Sequence, residues 1–253
     1  MLRKNIPNLF TALNLFCGCL AAYLAFQNLF QAAFFAVLLG TFFDLFDGFF
    51  ARLLKVESAF GVEFDSMADL ITSGFVPGIV MHQLLLNSNV QEMNIGFSLW
   101  NLHYDFVFAP IALIGFLVTL AAAVRLSKFN TDDSQQQEFL GLPTPANALF
   151  LVSLPLLMGD ERFDFLQPHI FSIWGLIVIS ILFSILMNLP LRLFSFKVSP
   201  SDPFKKKLYH ILLIISGIIL LLLFQWAAVP MIIIVYLLLS VVRNMLNGET
   251  VFK

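Results

Sequence analysis

The 253-residue chain is 59% hydrophobic and only 12% charged, and its formal net charge is −2. Soluble globular domains are roughly 45–50% apolar and about 25% charged, so this composition excludes a soluble enzyme, a disordered protein and a disulfide-stapled secreted domain. The charge also argues against binding of nucleic acid, because no basic face is available to meet the phosphates. The continuous apolar runs predict an all-α, polytopic helical bundle in a membrane.

Eight apolar segments approach the length of about 20 residues that a membrane-spanning helix needs. The fifth is short and flanked by prolines. The last two are separated by so few residues that they predict a tight helical hairpin. The predicted spans are 8–26, 31–47, 66–86, 106–125, 144–158, 170–187, 208–224 and 226–242.

The basic residues are strongly biased to one side of these spans. Of the 14 Lys and Arg residues, all but Arg162 fall on the side that holds both termini. Lys and Arg accumulate on the cytoplasmic side of membrane proteins. We therefore predict that both termini and the loops at 48–65, 126–143 and 188–207 are cytoplasmic, in an inner or plasma membrane of bacterial type.

The third span contains small residues and a proline that predict its packing. Gly74 and Gly78 form a G-x-x-x-G pair, which lets a neighbouring helix approach closely. Pro77 lies between them and predicts a kink, because proline removes one helical hydrogen bond.

Four acidic residues lie where apolar residues are expected, around the end of the second span and the start of the third. Asp44 and Asp47 are three apart, and Asp65 and Asp69 are four apart, so each pair shares one helical face. A short connection would bring the two pairs together near the cytoplasmic end of the bilayer. Acidic residues at membrane depth are costly and indicate a functional site.

Four clustered carboxylates need protons or cations to hold them together. Arg52 is the nearest basic residue, and one guanidinium cannot neutralise four carboxylates. Mg²⁺ or Mn²⁺, as a pair of ions, is the natural partner, because hard cations prefer oxygen ligands and join carboxylates to substrate phosphates. Gly48, Ala51 and Gly61 leave the helix surfaces open to a bulky substrate.

The run from Asp44 to Asp69 resembles the signature of the CDP-alcohol phosphatidyltransferases, with all eight positions at the family spacing. The resemblance implies a core of six membrane helices, a homodimer, and a cytoplasm-facing cavity open to the membrane. We expect 1–194 to form this core and 195–253 to add a basic loop and a two-helix hairpin. The signature positions are Asp44, Asp47, Gly48, Ala51, Arg52, Gly61, Asp65 and Asp69.

The resemblance also implies a role for each signature residue. Asp44, Asp47 and Asp65 bind the metals, and Asp69 contributes to the metal site and acts as general base. The CDP-lipid contacts fall on Asp44, Gly48, Ala51, Arg52 and Gly61. Asn8 and Thr11, one turn apart near the inner interface, could add hydrogen bonds to the nucleotide or phosphates, or could simply begin the first helix.

The acceptor is indicated by three further stretches, 5–18, 125–130 and 141–146, which resemble the membrane-spanning phosphatidylserine synthases of this family. The resemblance implies that L-serine takes the phosphatidyl group of CDP-diacylglycerol and that CMP is released. Arg125 and Lys128, one helical turn apart, could meet the serine carboxylate or the lipid phosphate. They could also be plain topology charges that attract anionic lipid.

Two rival functions remain compatible with the sequence. A sister transferase would use glycerol 3-phosphate or inositol phosphate as the acceptor. The phosphate of such an acceptor would require more basic residues around it than Arg125 and Lys128 supply. A divalent-cation transporter could also use the acidic cluster. Against a transporter, the acids sit at one membrane end and no acidic relay leads to the other side.

Overall fold

A computed structural model describes residues 2–56, 58–100, 102–131, 141–193 and 204–246. Ten α-helices and one two-stranded antiparallel sheet make up most of these residues. The helices are α1 (Leu2–Phe26), α2 (Phe30–Leu54), α3 (Ala59–Asp69), α4 (Val76–Asn87), α5 (Leu117–Thr131), α6 (Thr144–Ser153), α7 (Gln167–Ile170), α8 (Ile173–Asn188), α9 (Phe204–Phe224) and α10 (Ala228–Leu246), and the strands are β1 (Met93–Leu99) and β2 (Leu102–Phe108).

Five helical stretches in the described part of the chain are long and apolar enough to cross a membrane. They are Asn5–Phe26, Phe30–Leu54, Ala59–Asn87, Pro110–Thr131 and Leu208–Leu246, the last of which contains both α9 and α10. Thr144–Leu157 and Ile173–Asn188 are shorter apolar helices. Every predicted span therefore overlaps a helix, and the predicted all-α membrane bundle is confirmed.

Three predicted boundaries were wrong. The second span continues to Leu54 and the third begins at Ala59, so the predicted loop at 48–65 is far shorter. The helix ends where Lys55 adopts φ 53°, the left-handed conformation that commonly terminates helices. Phe106 belongs to β2 rather than to the fourth span, because apolar and polar residues alternate there and Pro110 opens the next helical segment.

The core of the bundle lies among α2, α4, α6, α8 and α10. Large side chains from these helices are fully buried, whereas many equally apolar side chains point outward, as expected for helices surrounded by lipid. Trp174 and Leu222 are more than three-quarters exposed. The largest buried side chains include Phe34, Ile79, Met81, Leu85, Leu151, Leu176, Met187 and Tyr236.

The predicted G-x-x-x-G packing is confirmed. A methyl group added at Gly74 would lie 3.0 Å from Cβ of Ala122 on α5, and one added at Gly78 would overlap the Thr119 hydroxyl. That hydroxyl donates a hydrogen bond to the Gly74 carbonyl at 3.0 Å. The two glycines thus let α5 approach the third span closely enough for a direct contact between a side chain and the backbone.

A π-helical segment, Leu70–Phe75, joins α3 to α4 immediately after Asp69. Pro77 follows it at the start of α4. Proline cannot donate a backbone hydrogen bond and clashes with the carbonyl four residues earlier, so the wider π turn relieves both problems. The irregularity at Pro77 is therefore a local widening of the helix next to an acidic residue, and π-bulges often occur at functional sites.

Replacing Gly115 by Ala tests how closely the helices pack. A Cβ there would lie 2.5 Å from the His82 backbone nitrogen, so two backbones would have to separate. We expect a loss of about 1–3 kcal/mol of stability, measured as a lower thermal unfolding midpoint in detergent. Gly217→Ala, whose Cβ would meet only Ile232 at 4.0 Å, is the matched control. Equal midpoints for the two variants would contradict the packing.

Candidate active site

The four predicted acidic residues meet at one end of the bundle, where α2 ends and α3 begins. Carboxylate oxygens of Asp44, Asp47 and Asp65 all lie within 4.8 Å of one another. Asp69 follows Asp65 by one helical turn on the same face of α3. A connection of only four residues, 55–58, returns the chain from α2 to α3, which is why the two pairs converge.

The donor set of this cluster fits a hard divalent cation. Three carboxylates from two helices supply oxygen ligands, the kind that Mg²⁺ and Mn²⁺ prefer. Oδ1 of Asp65 is buried and has no hydrogen-bond donor among the residues that the structure describes. Since a buried acceptor without a donor is costly, this oxygen is available to a cation.

Helix α1 supplies hydrogen-bond donors to the cluster. The hydroxyl of Thr11, which is 2% exposed, donates to Oδ2 of Asp47 at 2.6 Å. The fully buried Asn14 donates from Nδ2 to Oδ1 of Asp69 at 3.3 Å. These bonds fix one carboxylate on α2 and one on α3 against the same face of α1.

Asn14 is a site residue that the sequence did not predict. It lies three residues after Thr11 and six after Asn8, so the three polar side chains form one stripe along an apolar helix. This spacing was a usable signal. It was overlooked because a single Asn in a membrane span carries no charge and belongs to no part of the acidic signature.

A cavity of about 240 Å³ opens beside the acidic cluster. Most of the predicted CDP-lipid contacts line it, and several of these are small. A Cβ at Gly61 would lie 3.3 Å from Ser58 Oγ and 3.5 Å from Asn8 Oδ1, so the missing side chain keeps the cavity open. The lining residues are Pro7, Asn8, Thr11, Asp47, Gly48, Ala51, Arg52, Val56, Ser58, Gly61, Val62 and Asp65.

The amino end of α3 faces this cavity. Ser58 caps the helix, its Oγ accepting a hydrogen bond from the backbone N–H of Gly61 at 3.1 Å. A helix amino end carries partial positive charge and favours anions. Arg52, the one basic residue among the described residues that line the cavity, adds a full positive charge on the opposite wall. The cavity therefore combines carboxylates at one end with anion-attracting groups at the other.

The structure does not bring Arg125 and Lys128 to this cavity. Nε of Arg125 donates to the Met187 carbonyl at 3.1 Å, which ties α5 to the end of α8, and Lys128 is exposed. A second cleft of about 310 Å³ runs between α3 and α5. Asn130 Nδ2 crosses one side of it to Ser66 Oγ at 2.9 Å.

Divalent-cation binding tests the acidic cluster directly. We expect the double variant Asp47→Asn/Asp65→Asn to bind Mn²⁺ at least about tenfold more weakly than the unchanged protein, since even residues one step removed from a metal commonly contribute that much. The measurement is the paramagnetic resonance signal of free Mn²⁺ during titration of the purified protein. Asp105→Asn/Asp164→Asn, which removes the same charge at exposed positions, is the control. Unchanged affinity in the first variant would contradict the site.

The sequence of this chain is similar to those of several named enzymes. CDP-diacylglycerol–serine O-phosphatidyltransferase of Helicobacter pylori strain 26695 is 32% identical over 165 residues, which cover 64% of this chain and 61% of that protein. The Bacillus subtilis enzyme of the same name is 34% identical over 150 residues, 59% of this chain and 74% of that protein. Archaetidylserine synthase of Methanothermobacter thermautotrophicus is 30% identical over 153 residues, 60% of this chain and 58% of that protein.

The match spans about three-fifths of the length of the Helicobacter relative. The family model described as CDP-alcohol phosphatidyltransferase matches residues 4–194. That range includes the acidic cluster, the cavity and the donors on α1. The chain belongs to the CDP-alcohol phosphatidyltransferase family.

Proposed function

We propose that this protein transfers the phosphatidyl group of CDP-diacylglycerol to the hydroxyl of L-serine, giving phosphatidylserine and CMP. Family membership and the names of the bacterial relatives support the proposal. The observation that carries it is the convergence of Asp44, Asp47 and Asp65 oxygens within 4.8 Å, beside a cavity of about 240 Å³. Carboxylates that hold divalent cations next to groups that attract an anion are typical of sites that displace a group at phosphorus.

The proposed cofactor is Mg²⁺ or Mn²⁺, as a pair of ions. Asp44, Asp47 and Asp65 would hold it, with Asp69 contributing from the next turn of α3. A divalent cation bound there would join the carboxylates to the substrate diphosphate and offset the charge that develops on it. The buried Oδ1 of Asp65, which has no donor in the described part of the chain, supports this assignment.

The nucleotide end of the CDP-lipid would occupy the cavity. Gly48, Ala51 and Gly61 provide the space, and Arg52 and the amino end of α3 provide positive potential for the phosphates. Asn8 lines the same cavity and would donate from its amide. The role of Thr11 would be mainly to orient Asp47, because its hydroxyl already donates to that carboxylate.

Asp69 is the proposed general base. Its carboxylate would take the proton of the serine hydroxyl, and the serine oxygen would attack the phosphorus that carries the diacylglycerol. The bond from that phosphorus to the bridging oxygen breaks, and CMP leaves with the electron pair. A serine hydroxyl is a weak nucleophile near neutral pH, so a positioned base accelerates the attack.

The serine carboxylate needs a cationic or amide partner. We propose Arg125 and Lys128 for this role or for the lipid phosphate. Lys128 is exposed on α5, and its neighbours Ser127 and Asn130 line the cleft between α3 and α5. An exposed lysine side chain beside this cleft could meet an acceptor that enters from the water.

We also propose that the site faces the cytoplasm and that the protein is a homodimer. The bias of Lys and Arg to one side of the spans supports this orientation. Residues 1–194 would form the catalytic six-helix core, a division supported by the family match to 4–194. The segment 195–253 would then be an addition to the same membrane domain.

Acceptor dependence of CMP release tests the function. Purified protein in lipid vesicles with CDP-diacylglycerol and Mg²⁺ or Mn²⁺ is expected to release CMP when L-serine is added. Glycerol 3-phosphate and inositol phosphate should give little CMP release. Arg52 is the one basic residue among the described residues that line the cavity, so the donor diphosphate leaves no second cation for the phosphate of such an acceptor. Release with another acceptor alone would indicate a sister transferase, and none with any acceptor would favour a cation transporter.

The variant Asp69→Asn is the active-site control for this assay. Losing the base should lower serine-dependent CMP release by at least about 100-fold, while CDP binding to the purified variant is retained. Asp105→Asn, an exposed carboxylate in β2, should leave CMP release unchanged. Near-normal release by Asp69→Asn would contradict its role.

Asn14→Ala is expected to act on turnover rather than on donor binding. Without the amide, Oδ1 of Asp69 loses a donor at 3.3 Å, so the carboxylate is less well oriented. We expect kcat to fall about tenfold or more, as for other residues that orient a catalytic group, with KM for CDP-diacylglycerol nearly unchanged. Asn87→Ala, which removes an amide hydrogen bond to Asn28 at the other end of the bundle, is the control. A change confined to KM would contradict the positioning role.

A further inference from the structure

The β-hairpin between α4 and α5 has two chemically different faces. Strand side chains alternate between the two faces of a sheet. On one face of this hairpin, every cross-strand pair joins two apolar residues. The opposite face carries the pairs Asn94 with Val107, Gly96 with Asp105, and Ser98 with His103. The apolar face is formed by the pairs Met93 with Phe108, Ile95 with Phe106, Phe97 with Tyr104, and Leu99 with Leu102.

This apolar face is uncovered. All described residues from 93 to 107 are exposed, and Trp100 at the tip is 92% exposed. Aromatic rings on the face pack against each other, with the Phe97 and Tyr104 centroids 5.2 Å apart and those of Phe97 and Phe106 6.3 Å apart. A two-stranded hairpin is at best marginally stable alone in water. A contiguous apolar face on it therefore needs a partner that removes it from water.

Both ends of the hairpin are tied to the membrane surface. Helix α4 ends at Asn87, six residues before β1 begins, and the next membrane-spanning segment begins at Pro110, two residues after β2 ends. A strand of seven residues is about 23 Å long. The hairpin therefore starts at the bilayer surface and can lie along it.

The hairpin and the acidic cluster belong to opposite leaflets. The continuous helical stretch Ala59–Asn87 holds Asp65 and Asp69 near one end and leads to the hairpin at the other. Its 29 residues correspond to about 43 Å, the full thickness of a bilayer with its interfaces. Lipid around the hairpin is thus separate from lipid that reaches the cavity.

We propose that the hairpin is a membrane-surface anchor whose apolar face lies on the phospholipids of the leaflet opposite the acidic cluster. Trp100 and Tyr104 have the amphipathic rings that favour the headgroup boundary. No described residue of the apolar face is charged, while Asp105 and His103 face the other way. The outer edges of the two strands carry unpaired backbone groups that need water or headgroups. This need holds the hairpin at the interface and out of the acyl core.

Two neighbouring positions on opposite faces provide the test. Phe97→Cys and Ser98→Cys are made in a background in which Cys17 and Cys19, the two native cysteines, are replaced by Ala. Each variant is labelled with a fluorophore and placed in phosphatidylcholine nanodiscs, where both leaflets are accessible. Quenching is measured with a nitroxide near the top of the lipid acyl chain and with aqueous iodide.

The label at Phe97 is expected to be quenched several-fold more by the lipid nitroxide than the label at Ser98, with the opposite order for iodide. Equal quenching of both labels by iodide would mean that the hairpin stands in water and would overturn the proposal. Protection of the Phe97 label from both quenchers would overturn it as well, because the face would then be covered by protein, such as a second copy of the chain.

Discussion

The fold has to offset the electrostatic repulsion among the clustered carboxylates where α2 ends and α3 begins. Oxygens of Asp44, Asp47 and Asp65 lie within 4.8 Å of one another. At an effective dielectric constant of about 20, each ionised pair at that separation costs roughly 3–4 kcal/mol. Two helices that carry such charges would separate unless a compensating charge held them. A divalent cation reverses the sign of the interaction and makes the same cluster a binding site for a diphosphate.

The rest of the bundle holds the cluster in place. Helix α1 donates to one carboxylate on each of the two acidic helices, through Thr11 and Asn14. Helix α1 comes close enough because Gly18 and Gly40 have no side chains. A Cβ at Gly18 would overlap the Thr72 hydroxyl, and one at Gly40 would lie 3.0 Å from Asn14 Oδ1. The small residues thus let α1 approach the acidic helices, and its buried hydroxyl and amide supply the hydrogen bonds that buried carboxylates need in a membrane.

Much of the site could be predicted because charge is rare in this chain. Acids at helical spacing define a shared face, and the signature residues from Asp44 to Gly61 do line one cavity or cluster. Tertiary contacts that leave no periodic signal could not be predicted. The bond from Arg125 to the Met187 carbonyl depends on how α8 ends. The hairpin was missed because β1 and most of β2 lie between two predicted spans, and only the end of β2, from Phe106, was assigned to a span.

The most direct test of the account is whether Mn²⁺ at the acidic cluster touches the donor diphosphate. Electron–nuclear double resonance of the Mn²⁺-loaded protein with CDP-diacylglycerol should show hyperfine coupling to phosphorus. The coupling should be absent from Asp47→Asn/Asp65→Asn under the same conditions. A Mn²⁺ spectrum of the unchanged protein without phosphorus coupling, at saturating CDP-diacylglycerol, would contradict the claim that these carboxylates join a cation to the substrate.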